Sequence, residues 1–336
     1  MEQTKSFWNE LGHPIFTLAP MEDVTDTVFR EVVLSVADPK LLNVVFTEFC
    51  STDGLCHAVG RSKVAHRLLV SESERMLLKQ LGVKLVAQIW GSRPEKFGEA
   101  VRWISDNYSF DGIDINMGCP AKKIVKQGGC SALIASPNLA KEIIAATQES
   151  TSLPVSVKTR TGILSHQTES WITNLLEMSL SAITLHCRTQ SDMSERPADY
   201  AQMKIATELR DAIAPGTVMI GNGDIFTIEQ ARHFVAQTGA DGAMFGRGIF
   251  QNPWLFAKDS AMPTPIQRID LLLKHARLYE STWGRGKNFS ILRRFFKIYV
   301  NQLPNAGALR GKLMLAESLE EVEQIVGEID FSSIEK

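Results

Sequence analysis

Cys119 lies near the end of the run Asp114-Ile-Asn-Met-Gly-Cys-Pro120, and Lys122, Lys123 and Lys126 follow it before the pair Gly128-Gly129. Cations near a thiol favour the thiolate, so among Cys50, Cys56, Cys119, Cys130 and Cys187 this is the cysteine whose surroundings suit reactivity. No His stands beside it in sequence as a nucleophile's base, so proton transfer suits it at least as well as covalent attack. The plain alternative is a small loop residue. Gln88, Asn116, Lys158 with Arg160, His186 with Arg188, and Asn222 add groups that bind and polarise a small ligand. Two glycine turns, Gly221-Asn222-Gly223-Asp224 and Gly246-Arg247-Gly248, let main-chain N–H groups approach an anion, which is phosphate-binding chemistry. Each feature alone has a structural alternative: a lysine pairs with a carboxylate, a histidine is satisfied in a core, a glycine pair makes a tight turn.

These residues gain meaning from the elements that carry them. Ile15 to Ala19, Val44 to Glu48, Lys84 to Trp90, Gly112 to Asn116, Val155 to Arg160, Ala182 to Cys187, Val218 to Gly221 and Gly242 to Phe245 are short, strongly apolar runs and read as eight strands. Amphipathic segments such as Pro94 to Asn107, Pro137 to Glu149, Thr168 to Met178 and Thr227 to Thr238 lie between them and read as helices. That alternation predicts a parallel sheet with helices outside. Eight strands, with no Gly-x-Gly-x-x-Gly turn after the first, favour a (β/α)8 TIM barrel over an open doubly wound sheet. In such a barrel the site lies at the carboxyl ends of the strands, where the polar residues above fall, and the loops after the last two strands bind phosphate.

Beyond the barrel the pattern changes. Ile266 to Tyr279, Ser290 to Gln302 and Glu320 to Ile329 read as helices with no strand between, so the chain divides into a catalytic barrel, 1–257, and a small C-terminal helical domain, 258–336, joined near Ser260 to Pro265. The 36 Lys plus Arg and 38 Asp plus Glu give a net charge of −2, with no whole-chain attraction to nucleic acid. Locally, Arg285, Lys287, Arg293, Arg294 and Lys297 form a basic stretch and the segment after Glu317 is acidic. The interleaved Phe289, Phe295, Phe296 and Tyr299 suit a core better than a stacking platform. Cysteine spacing indicates neither a disulfide framework nor a metal site, and four of the five cysteines read as packing residues. No run reaches the roughly 20 apolar residues of a membrane span, and a cytoplasmic monomer with no obligate protein partner is expected.

Taken together, Leu18-Ala-Pro-Met21 with Val24-Thr-Asp26, Thr47-Glu48, Gln88-Ile, Asp114 to Pro120, Lys158-Thr-Arg160, His186-Cys-Arg-Thr189 and the two glycine turns resemble the tRNA-dihydrouridine synthases, flavin enzymes that reduce uridines in tRNA. The resemblance runs nearly end to end. It implies FMN as the phosphate-bearing cofactor, NADPH as reductant and tRNA as substrate. By motif position, Pro20 and Met21 would line the flavin, Gln88 and Lys158 would contact its ring system, and His186 would lie beside it. Asn222, Gly223, Asp224, Gly246 and Arg247 would hold its phosphate end, Asn116 and Arg160 would touch the uracil or its neighbouring phosphate, and Cys119 would give the proton. The basic stretch, Arg285, Lys287, Arg293, Arg294 and Lys297, would grip tRNA, with Lys122, Lys123 and Lys126 at the rim.

The sequence departs from the family pattern in places: Ala121 stands where Ser is common, Cys130 where a third Gly is common, Cys187 where Gly is usual, and Glu22 at a variable position. None removes a chemical group the reaction needs. Three other functions compete. A flavin reductase or dehydrogenase of a free pyrimidine would not need the basic helical appendage, and a tRNA-binding protein with a decayed flavin site would not need Cys119, Lys158 and His186. A phosphate-sugar barrel enzyme without flavin is a third.

Overall fold

The computed structural model describes residues 6–258, 263–301, 303 and 305–329, the side chain at 285 excepted. Nine parallel strands form one sheet: β1 (Ile15–Leu18), β2 (Val44–Phe46), β3 (Cys50–Ser51), β4 (Lys84–Trp90), β5 (Gly112–Met117), β6 (Val155–Arg160), β7 (Ala182–His186), β8 (Val218–Asn222) and β9 (Gly242–Phe245). Pairing of β1 with both β2 and β9, and of β2 with β4, closes eight of them into the expected barrel. The ninth, β3, adds two residues alongside Ile89 and Trp90 at the end of β4 and was not anticipated. A pair of residues carries too little periodicity to read as a strand.

Alternation along each strand sorts the side chains. Ile113, Ile115, Val157, Ile183 and Leu185 face the helices and are fully buried, while the residues between them point into the barrel. At the amino end the interior is apolar: Ile15, Val44, Phe46, Val86, Ala182, Val218, Ile220 and Met244 pack with Phe7 and Trp8. Phe7 and Trp8 stack at 5.0 Å in a short turn before β1 and plug that end. Burying each large apolar side chain contributes roughly 1.5–3 kcal/mol, so the plug is strongly held. With one end sealed, the barrel opens at the carboxyl ends of its strands.

After β9 the described residues hold helices and no strand. The long helix Pro265–Trp283 starts on a capping box between Thr264 and Gln267, with Pro265 at its first position, and packs on the helix Thr27–Leu34 that follows β1. Phe29 of that helix stacks on Phe295 at 5.0 Å and on Phe250 at 6.2 Å, and buried His275 Nδ1 lies 2.8 Å from the Tyr299 hydroxyl. Phe289, Phe295, Phe296 and Tyr299 are therefore core. The helix Ala306–Leu313 was not anticipated, and of the joint at Ser260 to Pro265 the first half, 260–262, lies outside the described residues. No helix among the described residues is long and apolar enough to cross a membrane.

Candidate active site

Register brings the polar residues together. Gln88 sits opposite Asp114, Asn116 opposite Lys158, Lys158 opposite Thr184, Arg160 opposite His186, and His186 opposite Asn222. Each occupies an inward-facing position, so five neighbouring strands present them to one interior.

A buried chain of hydrogen bonds fixes the floor. Ser156 Oγ donates to Asp114 Oδ1 at 2.6 Å, Gln88 Nε2 donates to Asp114 Oδ2 at 2.6 Å, and Asn116 Nδ2 donates to Gln88 Oε1 at 2.9 Å. Asn116 Oδ1 then accepts from the backbone N–H groups of Gly118 and Cys119, both at 3.0 Å. Orientation thus passes from strand to strand as far as the Cys119 turn. Asp114, which the sequence reading did not single out, is its hub. Burial raises the Asp114 carboxyl to about 6, against the lowering pull of its hydrogen bonds to Ser156 and Gln88.

Arg160 ties the same turn to the opposite wall. Its Nε donates to the Gly118 carbonyl at 2.8 Å, and its Nη1 to the carbonyls of Thr189 and Met193 at 2.9 and 2.7 Å. Burial lowers it to about 10, so it remains a cation at neutral pH. Three charged side chains act on the Cys119 sulfur, namely Arg160, Lys158 and Glu22. The adjacent Lys122, Lys123 and Lys126 are exposed to solvent, so the cation expected to act on the thiol is supplied by β6 and not by these lysines. Cys119 is lowered to about 7 chiefly by a hydrogen bond from the Cys130 thiol, with burial opposing. Burial also brings Lys158 down to about 8 and holds His186 neutral, well below the ordinary imidazole value.

Beside this floor lies a cleft lined by Pro20 and Met21 from the loop after β1, Lys158, His186, and both glycine turns. Lys158 Nζ reaches Asn222 Oδ1 at 3.4 Å, and Asn222 Nδ2 is anchored on the Met244 carbonyl at 2.8 Å. Asp224 pairs with Arg188 and accepts from Arg247 Nη2 at 2.8 Å, so one carboxylate orients two cations and the local balance stays positive. Arg188, noticed at a strand end but assigned no role from sequence, also lies 3.1 Å from His186 Nε2. At Gly223 the backbone takes φ of +121°, and an added Cβ would come within 2.9 Å of Ala198 Cβ. Only glycine passes there. At Gly246 a Cβ would meet nothing nearer than Ala19 at 3.9 Å, which leaves that edge of the cleft open. An open glycine edge, oriented arginines and one deep ammonium suit a phosphate-bearing ligand whose far end takes up negative charge.

The basic stretch does not form one surface. Arg293 donates to the Leu315 and Ala316 carbonyls, so it caps the chain beyond the helix Ala306–Leu313. Lys287 Nζ lies 3.6 Å over the Trp283 ring and 3.5 Å from Asp26. Arg294 and Lys297 are exposed, and the Arg285 side chain lies outside the described residues.

A family model described as dihydrouridine synthase matches residues 17–334. The chain is 40% identical over 328 residues to a probable tRNA-dihydrouridine synthase of Staphylococcus aureus (strain COL), covering 97% of this chain and 96% of that protein. It is 37% identical over 329 residues to probable tRNA-dihydrouridine synthase 2 of Bacillus subtilis (strain 168), covering 97% of each. Among solved structures, a morphinone reductase superposes with a TM-score of 0.50 at 11% identity over 74% of this chain and 86% of that one, a likeness of fold alone.

Proposed function

The chain belongs to the dihydrouridine synthase family and has tRNA-dihydrouridine synthase function, and from that premise we propose how its residues divide the reaction. The substrate is a uridine of tRNA, reduced across its 5,6 double bond. FMN, when bound in the cleft, supplies the hydride for C6 of the uracil, and NADPH is the reductant that restores it. Pro20 and Met21 would line its ring system and Lys158 would hold its pyrimidine edge, where an ammonium stabilises negative charge. Gln88 supports the floor beneath, and neutral His186 would lie beside the ring. The turns at Asn222-Gly223 and Gly246-Arg247 hold the phosphate, with Asp224 acting through Arg188 and Arg247 and not touching the anion itself.

Cys119 delivers the proton to C5 from the opposite face, and the electrons of its S–H bond stay on sulfur. Its thiol must be neutral at that moment, so a value near 7 keeps about half of it competent at neutral pH while leaving it a strong enough acid. Asn116 and Arg160 hold the turn that aims this thiol, and their remaining N–H groups face the base. The observation that carries this reading is the doubly anchored Cys119 turn, bonded from below by Asn116 and from the side by Arg160. Exposed Arg294 and Lys297 contribute to holding the tRNA backbone while the base is drawn out of the folded RNA.

The test supplies purified protein, FMN and NADPH with unmodified tRNA in one reaction and free uracil compounds in another. Uridines in tRNA should gain two hydrogens and the free compounds should not. Turnover of free pyrimidine at the tRNA rate would overturn the substrate assignment.

A further inference from the structure

Cys130 is a second cysteine placed against the first at an unfavourable backbone position. It follows Gly128, at φ of +75°, and Gly129, and itself takes φ of +52°, the left-handed region that L side chains enter rarely. Such a conformation is strained and persists only where its surroundings impose it. Glycine would occupy the position without strain. Cys130 is nevertheless fully buried, packed with Phe49 and Ile124 and against Trp90 and Cys119. The next residue, Ser131, clamps the two segments together: its hydroxyl donates to the Cys119 carbonyl at 2.8 Å and its N–H at 3.4 Å. Packing alone does not explain a sulfur here, because a thiol adds a directional donor that an apolar group would not.

We propose that Cys130 is a positioning residue for the proton donor: its buried S–H donates to the Cys119 sulfur, fixes the direction of the Cys119 thiol, and stabilises the thiolate left when that thiol gives its proton to C5. This inference deepens the reading of Cys119 as proton donor and rests on it. In the step, the S–H bond of Cys119 breaks, its electrons remain on sulfur, and the new C–H bond forms at C5. Cys130 keeps its own proton throughout, since burial raises it well above the ordinary thiol range. Solvent then returns a proton to Cys119. The other groups acting on the Cys119 sulfur are the Ala121 backbone N–H, which also favours the thiolate, Glu22 from the loop after β1, which opposes it, and Lys158 and Arg160 from β6.

The test follows alkylation of Cys119 by iodoacetamide against pH, quantified on the Cys119 peptide by mass spectrometry, in the full chain with flavin bound. Wild type should show a midpoint near 7. Cys130→Gly, which relieves the backbone, should keep its melting temperature while the midpoint rises toward the ordinary thiol value of about 8.5. Cys130→Ser, whose hydroxyl still donates, should fall between them, and it gives the same reading should the glycine variant lose its fold. The falling alkaline limb of single-turnover uridine reduction should move with the midpoint. Unchanged midpoints in both variants would overturn the role of Cys130. The role of Cys119 is judged separately, since alkylation reports the thiol whether or not it is the donor.

Discussion

At the scale of single residues, two groups should set the pH response. In the proposed mechanism Cys119 acts protonated, so the rate should fall as pH rises through about 7, and Lys158 acts charged, so a second loss should follow as pH rises through about 8. Single-turnover rates across the neutral and alkaline range should therefore decline throughout and steepen above the second value. In Cys119→Ala the weak residual rate should retain only the later decline. Much of this chemistry is legible in residue types, because Cys119, Lys158, His186 and Asn222 stand at the ends of apolar runs. The meaning of Asp114, Arg188 and Cys130 is not, since each acts through a partner on another segment: Gln88 and Ser156, Asp224, and Cys119. A signal existed for Asp114, a carboxylate inside an otherwise apolar run, where burial without partners would be costly.

At the scale of elements, the loop after β1 links the two ends of the molecule. Its Pro20 and Met21 line the cleft, while Asp26 caps the helix Thr27–Leu34 by accepting from Phe29 N–H at 3.0 Å and accepts from Trp283 Nε1 of the helical region at 2.8 Å. Arg294 Nη1 donates to the Asp23 carbonyl of the same loop at 3.1 Å. Asp26→Ala should cost roughly 1–2 kcal/mol from the cap alone, lower the melting temperature, and weaken tRNA and flavin binding together. Loss of tRNA affinity with unaltered flavin affinity would contradict the coupling. The helix start is held more deeply by Arg30, wholly buried, whose Nε and Nη2 reach Glu74 at 2.6 and 2.9 Å. Glu74→Ala leaves that guanidinium without a counter-ion, and denaturant unfolding should show a loss of about 3–5 kcal/mol. The barrel strands were readable because a parallel sheet buried on both faces makes uniformly apolar runs. Ala306–Leu313 was not, because its segment Ala-Gly-Ala-Leu-Arg-Gly-Lys-Leu holds two helix-weakening glycines and buries little beyond Leu313.

At the scale of the whole molecule, the net charge of −2 conceals a mixed surface. The acidic C-terminal segment pairs with cations of the helical region: Glu317 lies 3.7 Å from Arg293 of the basic stretch, and outside that stretch Glu323 lies 2.8 Å from Arg277 and Glu328 2.7 Å from Lys312. Charge counting along the chain therefore overstates the cations free to meet RNA, a fact visible only once the helices are folded against one another. Of the basic stretch, Arg294 and Lys297 keep their exposure, and Arg294→Ala with Lys297→Ala should lower the salt slope of tRNA binding by roughly 1.5 while leaving the flavin spectrum unchanged. The barrel would then supply chemistry and the helical region purchase on the RNA. The most direct measurement mixes anaerobically reduced, flavin-loaded enzyme with unmodified tRNA and times dihydrouridine formation in wild type and Cys119→Ala. The account predicts that the variant keeps its flavin and its tRNA affinity but forms product about 10²–10⁴-fold more slowly. Product formation at the wild-type rate would contradict it.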